Sequence, residues 1–236
     1  MPAVYDQGEL GSCTANGITA LLQYRMLRQG LDAPMQSRLF IYYGERVIER
    51  TVNEDAGAQI RSGIKVVAKA GSCPESIWPY NVSKFAVRPP ALAFVEAQKH
   101  QALKYARVTS TLDALRSALA LDALPIVFGF SVYESFESEQ TAITGQMLVP
   151  SRDEAVLGGH CVAIVGYDDK HNNGTGVPAG AFLCRNSWSA SWGISDPSHP
   201  EFAGHFWFPY TLITSRGMAS DFWVISNVEG EQAVKA

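Results

Sequence analysis

The sequence has 236 residues and a formal net charge of −4, and its 47% hydrophobic and 18% charged residues exclude an intrinsically disordered chain. This length suits one large domain or two small lobes with a buried core. With 19 basic against 23 acidic residues, a nucleic-acid partner is not expected, because a phosphate backbone is bound through a basic excess.

Helices are predicted first along the chain. Three are predicted at residues 12–30, 37–50 and 60–71. The first has Ser12 as its N-cap and ends at Gly30. Prolines at 74, 79, 89 and 90 predict turns and extended pieces. One more helix is predicted over 112–121, with Ser110 as its cap.

Strands follow the helices. They are predicted at residues 125–132, 161–167, 181–185, 205–208 and 221–228. Helices followed by strands predict an α+β fold, with two lobes and a ligand site at their junction.

No segment has the features of a membrane span or a signal peptide. No apolar run approaches the roughly 18 to 20 residues that cross a bilayer, and the N-terminus lacks a charged region followed by an apolar one. We therefore expect no membrane partner. The compartment stays open between the cytoplasm and secretion after processing, and removal of an upstream segment is compatible with the N-terminal sequence.

Four cysteines, Cys13, Cys73, Cys161 and Cys184, are few for this length. An even number permits two disulfides, whereas a cytosolic chain would keep its thiols reduced. No CxxC pair occurs, and none of the five histidines has zinc-ligand spacing near a cysteine. The sequence therefore predicts thiols mostly outside disulfides, no metal and no other cofactor.

The segment from Gln7 to Cys13 carries the first candidate site. It places Cys13 at the first turn of a helix, where N–H groups and the positive end of the helix dipole favour thiolate over thiol. Taken alone, a cysteine of this kind is more often a small buried hydrophobe. A functional interpretation therefore depends on partners elsewhere in the chain.

Two later motifs supply such partners. His160 follows two glycines and opens an apolar strand, and its neutral imidazole could take a thiol proton. Asn186 ends a strand just before Trp188, and its carbonyl could orient the imidazole under the cover of the indole. Each residue taken alone could equally be structural.

The three elements in this order resemble the papain-like (family C1) cysteine peptidases. Gln7 lies six residues before Cys13, and His160 and Asn186 follow Cys13 by 147 and 173 residues; the papain pattern places its His and Asn about 130 to 150 residues downstream. Residues 71–80, ending in Pro-Tyr, and the aromatic strand at 204–208 also resemble family segments. The resemblance covers residues 6 to about 228.

The chain departs from the family pattern Cys-Gly-Ser-Cys-Trp in two places. Leu10 stands at the first cysteine, which removes one family disulfide, and Thr14 replaces the aromatic residue beside the nucleophile. The change at Thr14 bears on pocket shape rather than on the chemistry. The small number of cysteines resembles the bacterial or archaeal branch of the family.

The resemblance implies a role for each matched residue. Cys13 matches the nucleophile, His160 the general base and acid, and Asn186 the residue that orients His160. The Gln7 side-chain amide and the Cys13 backbone N–H match the oxyanion hole, and Trp188 matches the indole that shields the His–Asn hydrogen bond.

The resemblance also implies a substrate-binding region. Residues 55–59 match the segment whose backbone binds substrate as an added strand, so Gly57 and Ala58 are expected there. A specificity pocket is expected from Ile60, Gly129, Gly158, Gly159 and Cys161. Their small size favours a roomy pocket.

The implied fold is a single papain-like domain over residues 1–236. A helical left lobe, approximately 6–104, and an antiparallel β-barrel-like right lobe, 105–228, would have the active-site cleft between them. The implied function is a cysteine endopeptidase that acts on peptides or proteins as a monomer. A proteinaceous inhibitor or a removed pro-segment would be a further partner.

Two other classes stay open on the same scaffold. One is another thiol acyl-transfer enzyme, such as an exopeptidase, an amidase or a transpeptidase; residues 137–156 would favour an exopeptidase if they filled the cleft. The other is a non-catalytic peptide-binding module, which the intact set of Cys, His, Asn and Gln argues against.

Overall fold

Residues 1–215 and 217–233, which the computed structural model of the protein describes, contain seven α-helices and six β-strands. The helices are Cys13–Gln29 (α1), Arg38–Glu49 (α2), Ile60–Lys69 (α3), Ala91–Ala97 (α4), Leu112–Ala120 (α5), Glu139–Thr144 (α6) and Tyr210–Thr214 (α7). The strands are Ala102–Arg107 (β1), Ile126–Tyr133 (β2), Val156–Asp168 (β3), Ala181–Arg185 (β4), His205–Pro209 (β5) and Ala219–Val228 (β6). Single-turn 3₁₀ helices lie at Val82–Lys84 and Pro200–Phe202. The predicted α+β class is confirmed.

The chain divides into two compact units. The helical unit comprises residues 1–2 and 7–106 and, within the described chain, 224–233. The strand unit comprises residues 3–6 and the described part of 107–223. A papain-like division into lobes at 6–104 and 105–228 stays a prediction.

In the helical unit, α1, α2 and α3 pack against one another, and their ends follow from local sequence. Ser37 caps α2 by accepting a hydrogen bond from the Phe40 amide at 3.1 Å. Gly30 ends α1 with a φ of 69°, a left-handed conformation that suits glycine. Apolar residues of α1 and α3 are buried in this unit: Ala15, Ile18, Leu22, Met26, Ile60, Ile64 and Val67.

The three helices pack closely at Gly63. A Cβ there would collide with the Ile18 side chain and with Oε1 of Glu45. A side chain at this position would therefore require the ends of those two side chains, or α3 itself, to shift. None of the helices in the described chain is both long and apolar enough to cross a membrane.

The strands form a sheet in the order β1-β6-β2-β3-β4-β5. Within the strand unit, β2 pairs antiparallel with β3 and with β6, β3 with β4, and β4 with β5. Phe128 on β2 meets Phe208 edge-on at 5.4 Å between ring centroids and stacks on Phe222 at 5.1 Å. These rings are buried, so an aromatic cluster forms much of the core beside the sheet.

Three predicted helices and one predicted strand agree closely with the observed elements. The predicted helices at 12–30, 37–50 and 60–71 correspond to α1, α2 and α3, and the strand predicted at 181–185 matches β4. The predicted cap of α5 is wrong by one residue. Thr111, not Ser110, caps this helix, because its Oγ1 accepts from the Ala114 amide at 3.3 Å.

The start of β3 also differs from the prediction. The strand begins at Val156, so His160 lies within it rather than at its start. Gly158 and Gly159 continue the ladder opposite Val132 and Ser131 of β2. Backbone pairing with β2 extends the strand through glycines that the sequence pattern treats as a boundary.

Four elements are not predicted by the sequence patterns: β1, α4, α6 and α7. The helix α4 begins directly after Pro90, because proline is tolerated at the start of a helix although it breaks a helix interior. The helices α6 and α7 have six and five residues, which is too short for a periodic pattern.

Candidate active site

Cys13 is the first residue of α1 and is half-buried. The Ser12 amide donates to the Leu10 carbonyl at 2.7 Å, and the Asn16 amide donates to the Ser12 carbonyl at 3.0 Å, so the chain turns sharply into the helix. The amides of the first helical turn have no partners within the helix, and the dipole is positive at this end. The position of Cys13 therefore favours a negative charge on its sulfur.

The side chain of Gln7 is held beside this turn. It is 7% exposed, and its Nε2 donates to the Leu10 carbonyl at 3.0 Å. The Tyr80 hydroxyl donates to the Gln7 backbone carbonyl at 2.9 Å. Both the main chain and the side chain of Gln7 are thus fixed within the helical unit that contains Cys13.

Tyr80 belongs to a polar network below the start of α1. Its hydroxyl lies 2.5 Å from Ser12 Oγ, which accepts from Asn16 Nδ2 at 3.0 Å. Arg38 donates to Asn16 Oδ1 at 3.2 Å, pairs with Glu75 at 2.9 Å, and has its guanidinium 3.9 Å from the centre of the Tyr80 ring. Burial raises the pKa of Tyr80, so its hydroxyl keeps its proton. This network supports Ser12, the residue before Cys13.

Thr14 is a polar residue at the position where the papain pattern has an aromatic one. Its Oγ1 donates to Glu45 Oε2 at 2.8 Å, and both side chains are buried. Burial raises the pKa of Glu45 well above its usual range, against the opposing effect of the hydrogen bond from Thr14. A tryptophan at position 14 would leave the buried carboxyl without this donor.

The segment at residues 55–59 lies against the loop before Cys13. The Gly11 amide donates to both carboxylate oxygens of Asp55, at 3.0 and 3.1 Å. Gly57 has a φ of 69°, Ala58 is half-buried, and Ile60 is buried at the start of α3. The structure brings these residues together with Gln7 and Cys13 in the helical unit.

His160 and Asn186 meet in the strand unit. His160 Nε2 lies 2.7 Å from Asn186 Oδ1, which also accepts from the Ser187 amide at 2.8 Å. The Ser187 amide requires an oxygen at this position of Asn186, and that oxygen can only accept, so Nε2 of His160 carries the hydrogen. Nδ1 of the neutral ring is therefore the nitrogen able to accept a proton.

Aromatic rings enclose this hydrogen bond. Trp188 stacks on His160 at 4.8 Å between centroids with the planes 25° apart, and Phe130 meets the imidazole edge-on at 5.8 Å. Phe136 lies 5.4 Å from Trp188 and 6.5 Å from His160. Burial lowers the pKa of His160 to about 4, against the opposing effect of its hydrogen bond to Asn186. The imidazole is therefore neutral at neutral pH.

The remaining predicted pocket residues lie on β2 and β3. Gly129 is opposite Cys161 in the ladder, one position from the facing pair Phe130 and His160. Successive side chains of a strand point to opposite faces, so Cys161 points away from the His160 face. Gly158 and Gly159 are exposed, and a Cβ on either would meet open space.

Among residues 1–215 and 217–233, no group of three or more His, Cys, Asp or Glu side chains could hold a metal ion. No disulfide joins any of the four cysteines, all of which the structure describes. Three of them are buried, and burial raises the pKa of Cys184 and that of Cys73, the latter to about 12. These two thiols are protonated and unreactive at neutral pH.

Three contributors to the site are not identified by the sequence motifs. Asp55 was matched only as part of a segment, Tyr80 only as the end of a Pro-Tyr pair, and Phe136 lies just outside every motif. The Asp-Ala-Gly sequence at 55–57 is the one local signal, because an acidic residue before a glycine turn often accepts backbone hydrogen bonds.

Comparison with known proteins places this chain among cysteine proteases. The family model described as "Papain family cysteine protease" matches residues 1–196. The uncharacterized peptidase C1-like protein L477 of Acanthamoeba polyphaga mimivirus is 41% identical over 232 residues, which cover 94% of this chain and 69% of that protein.

Solved structures agree with this match. Xylellain, a cysteine protease from Xylella fastidiosa, superposes with a TM-score of 0.85 at 37% identity, covering 98% of this chain and 84% of that one. The clostridial cysteine protease Cwp84, solved after propeptide cleavage, has a TM-score of 0.74 at 17% identity, covers 98% of this chain and 56% of that one, and supports the fold alone. The predicted papain-like two-lobe α+β fold is confirmed, and the chain belongs to the papain family of cysteine peptidases.

Proposed function

We propose that this peptidase is an endopeptidase that cleaves peptide bonds through a thioester acyl-enzyme on Cys13. The observation that carries the proposal is the hydrogen bond of 2.7 Å between His160 Nε2 and Asn186 Oδ1, enclosed by Trp188. It leaves Nδ1 of a neutral imidazole as a proton acceptor. Thiol acyl transfer requires a base that accepts the proton of the nucleophilic cysteine, and a neutral His160 would serve Cys13 in this way.

In the proposed reaction, His160 accepts the thiol proton of Cys13. Burial keeps His160 neutral on its own, and the thiolate supplies the opposite charge that raises the pKa of His160 and retains the proton there. The sulfur attacks the carbonyl carbon, a C–S bond forms, and His160 gives its proton to the leaving nitrogen as the C–N bond breaks. The acyl group is then joined to Cys13 as a thioester.

Water completes the cycle. His160 takes a proton from a water molecule, whose oxygen bonds to the thioester carbon, and the C–S bond then breaks. In both halves the carbonyl oxygen gains negative charge, which the Gln7 amide and the Cys13 backbone N–H would stabilise. One such donor is worth roughly 2.7 to 4 kcal/mol of barrier.

The substrate is proposed to be a peptide or protein chain. The backbone of Gly57 and Ala58 would bind it as an added strand. These two residues belong to the segment whose Asp55 accepts a hydrogen bond from the Gly11 amide. Ile60, Gly129, Gly158, Gly159 and Cys161 would shape the specificity pocket. The open space around Gly158 and Gly159 supports a roomy pocket.

The protein is proposed to act as a monomeric single domain over residues 1–236, with lobes at 6–104 and 105–228. A proteinaceous inhibitor or a pro-segment would restrain its activity. The Cwp84 structure was solved after cleavage of the propeptide of that protein. For this chain, a comparable upstream segment is proposed.

The test compares the wild-type protein with Cys13→Ala on unlabelled peptides, with products identified by mass spectrometry. Cleavage at internal bonds that is lost in Cys13→Ala supports the proposal. Removal of residues one or two at a time from a terminus would instead show an exopeptidase, and ligation to an added amine a transpeptidase.

A second measurement separates the enzyme from a binding module. An epoxide-type thiol-protease inactivator should modify Cys13 and no other cysteine when the labelled sites are mapped by mass spectrometry. Cys73 and Cys184 serve as internal controls, because burial raises the pKa of both thiols. Absence of labelling at Cys13 would contradict an enzymatic function.

A further inference from the structure

Asp55 joins two parts of the helical unit that the proposed function uses separately. One is the N-terminal loop, residues 7–13, which ends at Cys13. The other is the substrate segment, residues 55–59. We propose that Asp55 is a positioning residue that holds these two parts in register, so that a peptide bound along the substrate segment presents its carbonyl to Cys13. This inference rests on the proposed function.

The Asp55 carboxylate receives hydrogen bonds from both sides. The Gly11 amide donates to Oδ1 at 3.0 Å and to Oδ2 at 3.1 Å. From α2, the Tyr42 hydroxyl donates to Oδ1. Burial and the neighbouring carboxylate raise the pKa of Tyr42, so the hydroxyl stays protonated and remains a donor. Hydrogen bonds to an ionised acceptor are stronger than neutral ones.

The substrate segment is anchored to α2 on either side of Asp55. Arg46 donates to the Val52 carbonyl at 2.7 Å and to the Glu54 carbonyl at 3.3 Å. After the segment turns, the Gln59 amide donates to Glu49 Oε1 at 2.9 Å. These bonds fix the segment to the helix, and the Asp55 carboxylate carries the connection on to the N-terminal loop.

The two loops are in direct contact at glycines. A Cβ added to Gly11 would lie 3.0 Å from Asp55 Oδ1 and 3.4 Å from the Gly57 amide nitrogen. Leu10 stands at the first cysteine of the papain pattern, so residue 10 has no thiol with which to make a covalent connection. The next residue, Gly11, connects the two loops through its hydrogen bonds to the Asp55 carboxylate.

This arrangement predicts a loss that depends on substrate length. A peptide must engage Gly57 and Ala58 as well as Cys13, so it needs both loops in register. A small N-acyl amino acid ester needs only Cys13 and its oxyanion donors. A displacement of about 1 Å can cost on the order of 10²-fold in rate. Loss of the connection should therefore penalise the peptide far more than the ester.

The experiment uses Asp55→Ala and Asp55→Asn, with Glu54→Ala as a matched control that removes the neighbouring exposed carboxylate. For Asp55→Ala we expect kcat/KM on a fluorogenic tripeptide amide to fall by about 10- to 100-fold, and on the ester by less than about 3-fold. Alkylation of Cys13 by iodoacetamide should be unchanged. Asp55→Asn should lie between, because its amide oxygen still accepts hydrogen bonds but carries no full negative charge, and its NH₂ group replaces the second acceptor oxygen with a donor.

Several outcomes would overturn the inference. Equal losses on both substrates, or a loss of thiol alkylation, would show a general structural role. An unchanged peptide activity in Asp55→Ala, or an equal loss in Glu54→Ala, would also overturn it.

Hydrogen–deuterium exchange tests the connection without reference to turnover. Asp55→Ala should speed exchange at residues 7–13 and 51–59, and Glu54→Ala should not. Unchanged exchange in Asp55→Ala overturns the inference. A wild-type protein that hydrolyses neither substrate contradicts the proposed function, and the exchange result then decides separately whether Asp55 holds the two loops.

Discussion

His160 Nε2 and Asn186 Oδ1 lie 2.7 Å apart, in a hydrogen bond that decides which nitrogen of the imidazole can accept a proton. Asn186 Oδ1 also accepts from the Ser187 backbone amide, and the backbone amide of Asn186 donates to the Gly204 carbonyl at 3.0 Å. The ring orientation of His160 therefore depends on the turn that follows β4.

Asn186→Ala should lower kcat by about 10²-fold with little change in KM, because a misoriented imidazole transfers protons poorly while substrate contacts persist. Steady-state kinetics on a fluorogenic peptide measure both constants. Asn172→Ala is the control, since this exposed asparagine lies away from His160 on the loop after β3. A kcat for Asn186→Ala equal to that of the wild type would remove Asn186 from the proposed mechanism.

Trp188→Ala should raise the pKa of His160 from about 4 towards its ordinary value, because burial is the main cause of the lowered pKa. The stacked indole contributes directly to that burial. Nuclear magnetic resonance titration of the histidines, in a Cys13→Ala background, reports the value. The control is Trp207→Phe, because Trp207 stacks on His171 rather than His160. It should leave the pKa of His160 unchanged. An unshifted pKa of His160 in Trp188→Ala would contradict the shielding role.

Gln7→Ala and Gln7→Glu should lower the rate of acylation by about 10² to 10³-fold, because both remove the amide donor proposed for the oxyanion hole. Substrate affinity should change little, since the donor acts on charge that develops in the transition state. Single-turnover kinetics measure acylation, and iodoacetamide reactivity across pH reports the Cys13 thiolate, which should survive. Glu9→Ala, an exposed change in the same loop, is the control; wild-type acylation in both Gln7 variants would exclude the oxyanion role.

In the Cys13→Ala variant, which has no thiolate to retain a proton on His160, stability should fall on mild acidification because of two buried histidines. Burial lowers the pKa of His160 and of His205 to about 4, whereas an unfolded histidine titrates near about 6.5. Between these values the unfolded chain binds more protons. Each buried neutral histidine thus makes its full contribution to the free energy of unfolding above about pH 6.5. This contribution is lost as the pH falls towards 4, and the loss on going to pH 5 is about 1 to 2 kcal/mol for each histidine.

Urea unfolding at several pH values in this window measures the effect. In the Cys13→Ala background, His160→Gln/His205→Gln should show a weaker dependence of the unfolding free energy on pH than Cys13→Ala alone. His199→Gln in the same background, at an exposed position, is the control and should keep the dependence of Cys13→Ala. Identical pH dependence with and without the two histidines would assign the acid sensitivity to other groups.

The sequence by itself determined the features whose signal is local. The 3.6-residue spacing of apolar residues and the Gly30 terminus predict α1, and a continuous apolar run predicts β4. The order of Gln7, Cys13, His160 and Asn186 matches a known family pattern along the chain, and the comparisons confirm that family. None of these inferences needs residues distant in sequence to be placed in space.

The tertiary structure alone decided the contacts between distant segments. The bond from Gly11 to Asp55 joins residues 44 apart, and that from Thr14 to Glu45 joins residues 31 apart. The extension of β3 back to Val156 likewise depends on pairing with β2. Such contacts arise because packing brings polar groups from distant parts of the chain within hydrogen-bonding distance, and a single sequence records the residue types without recording which packing does so.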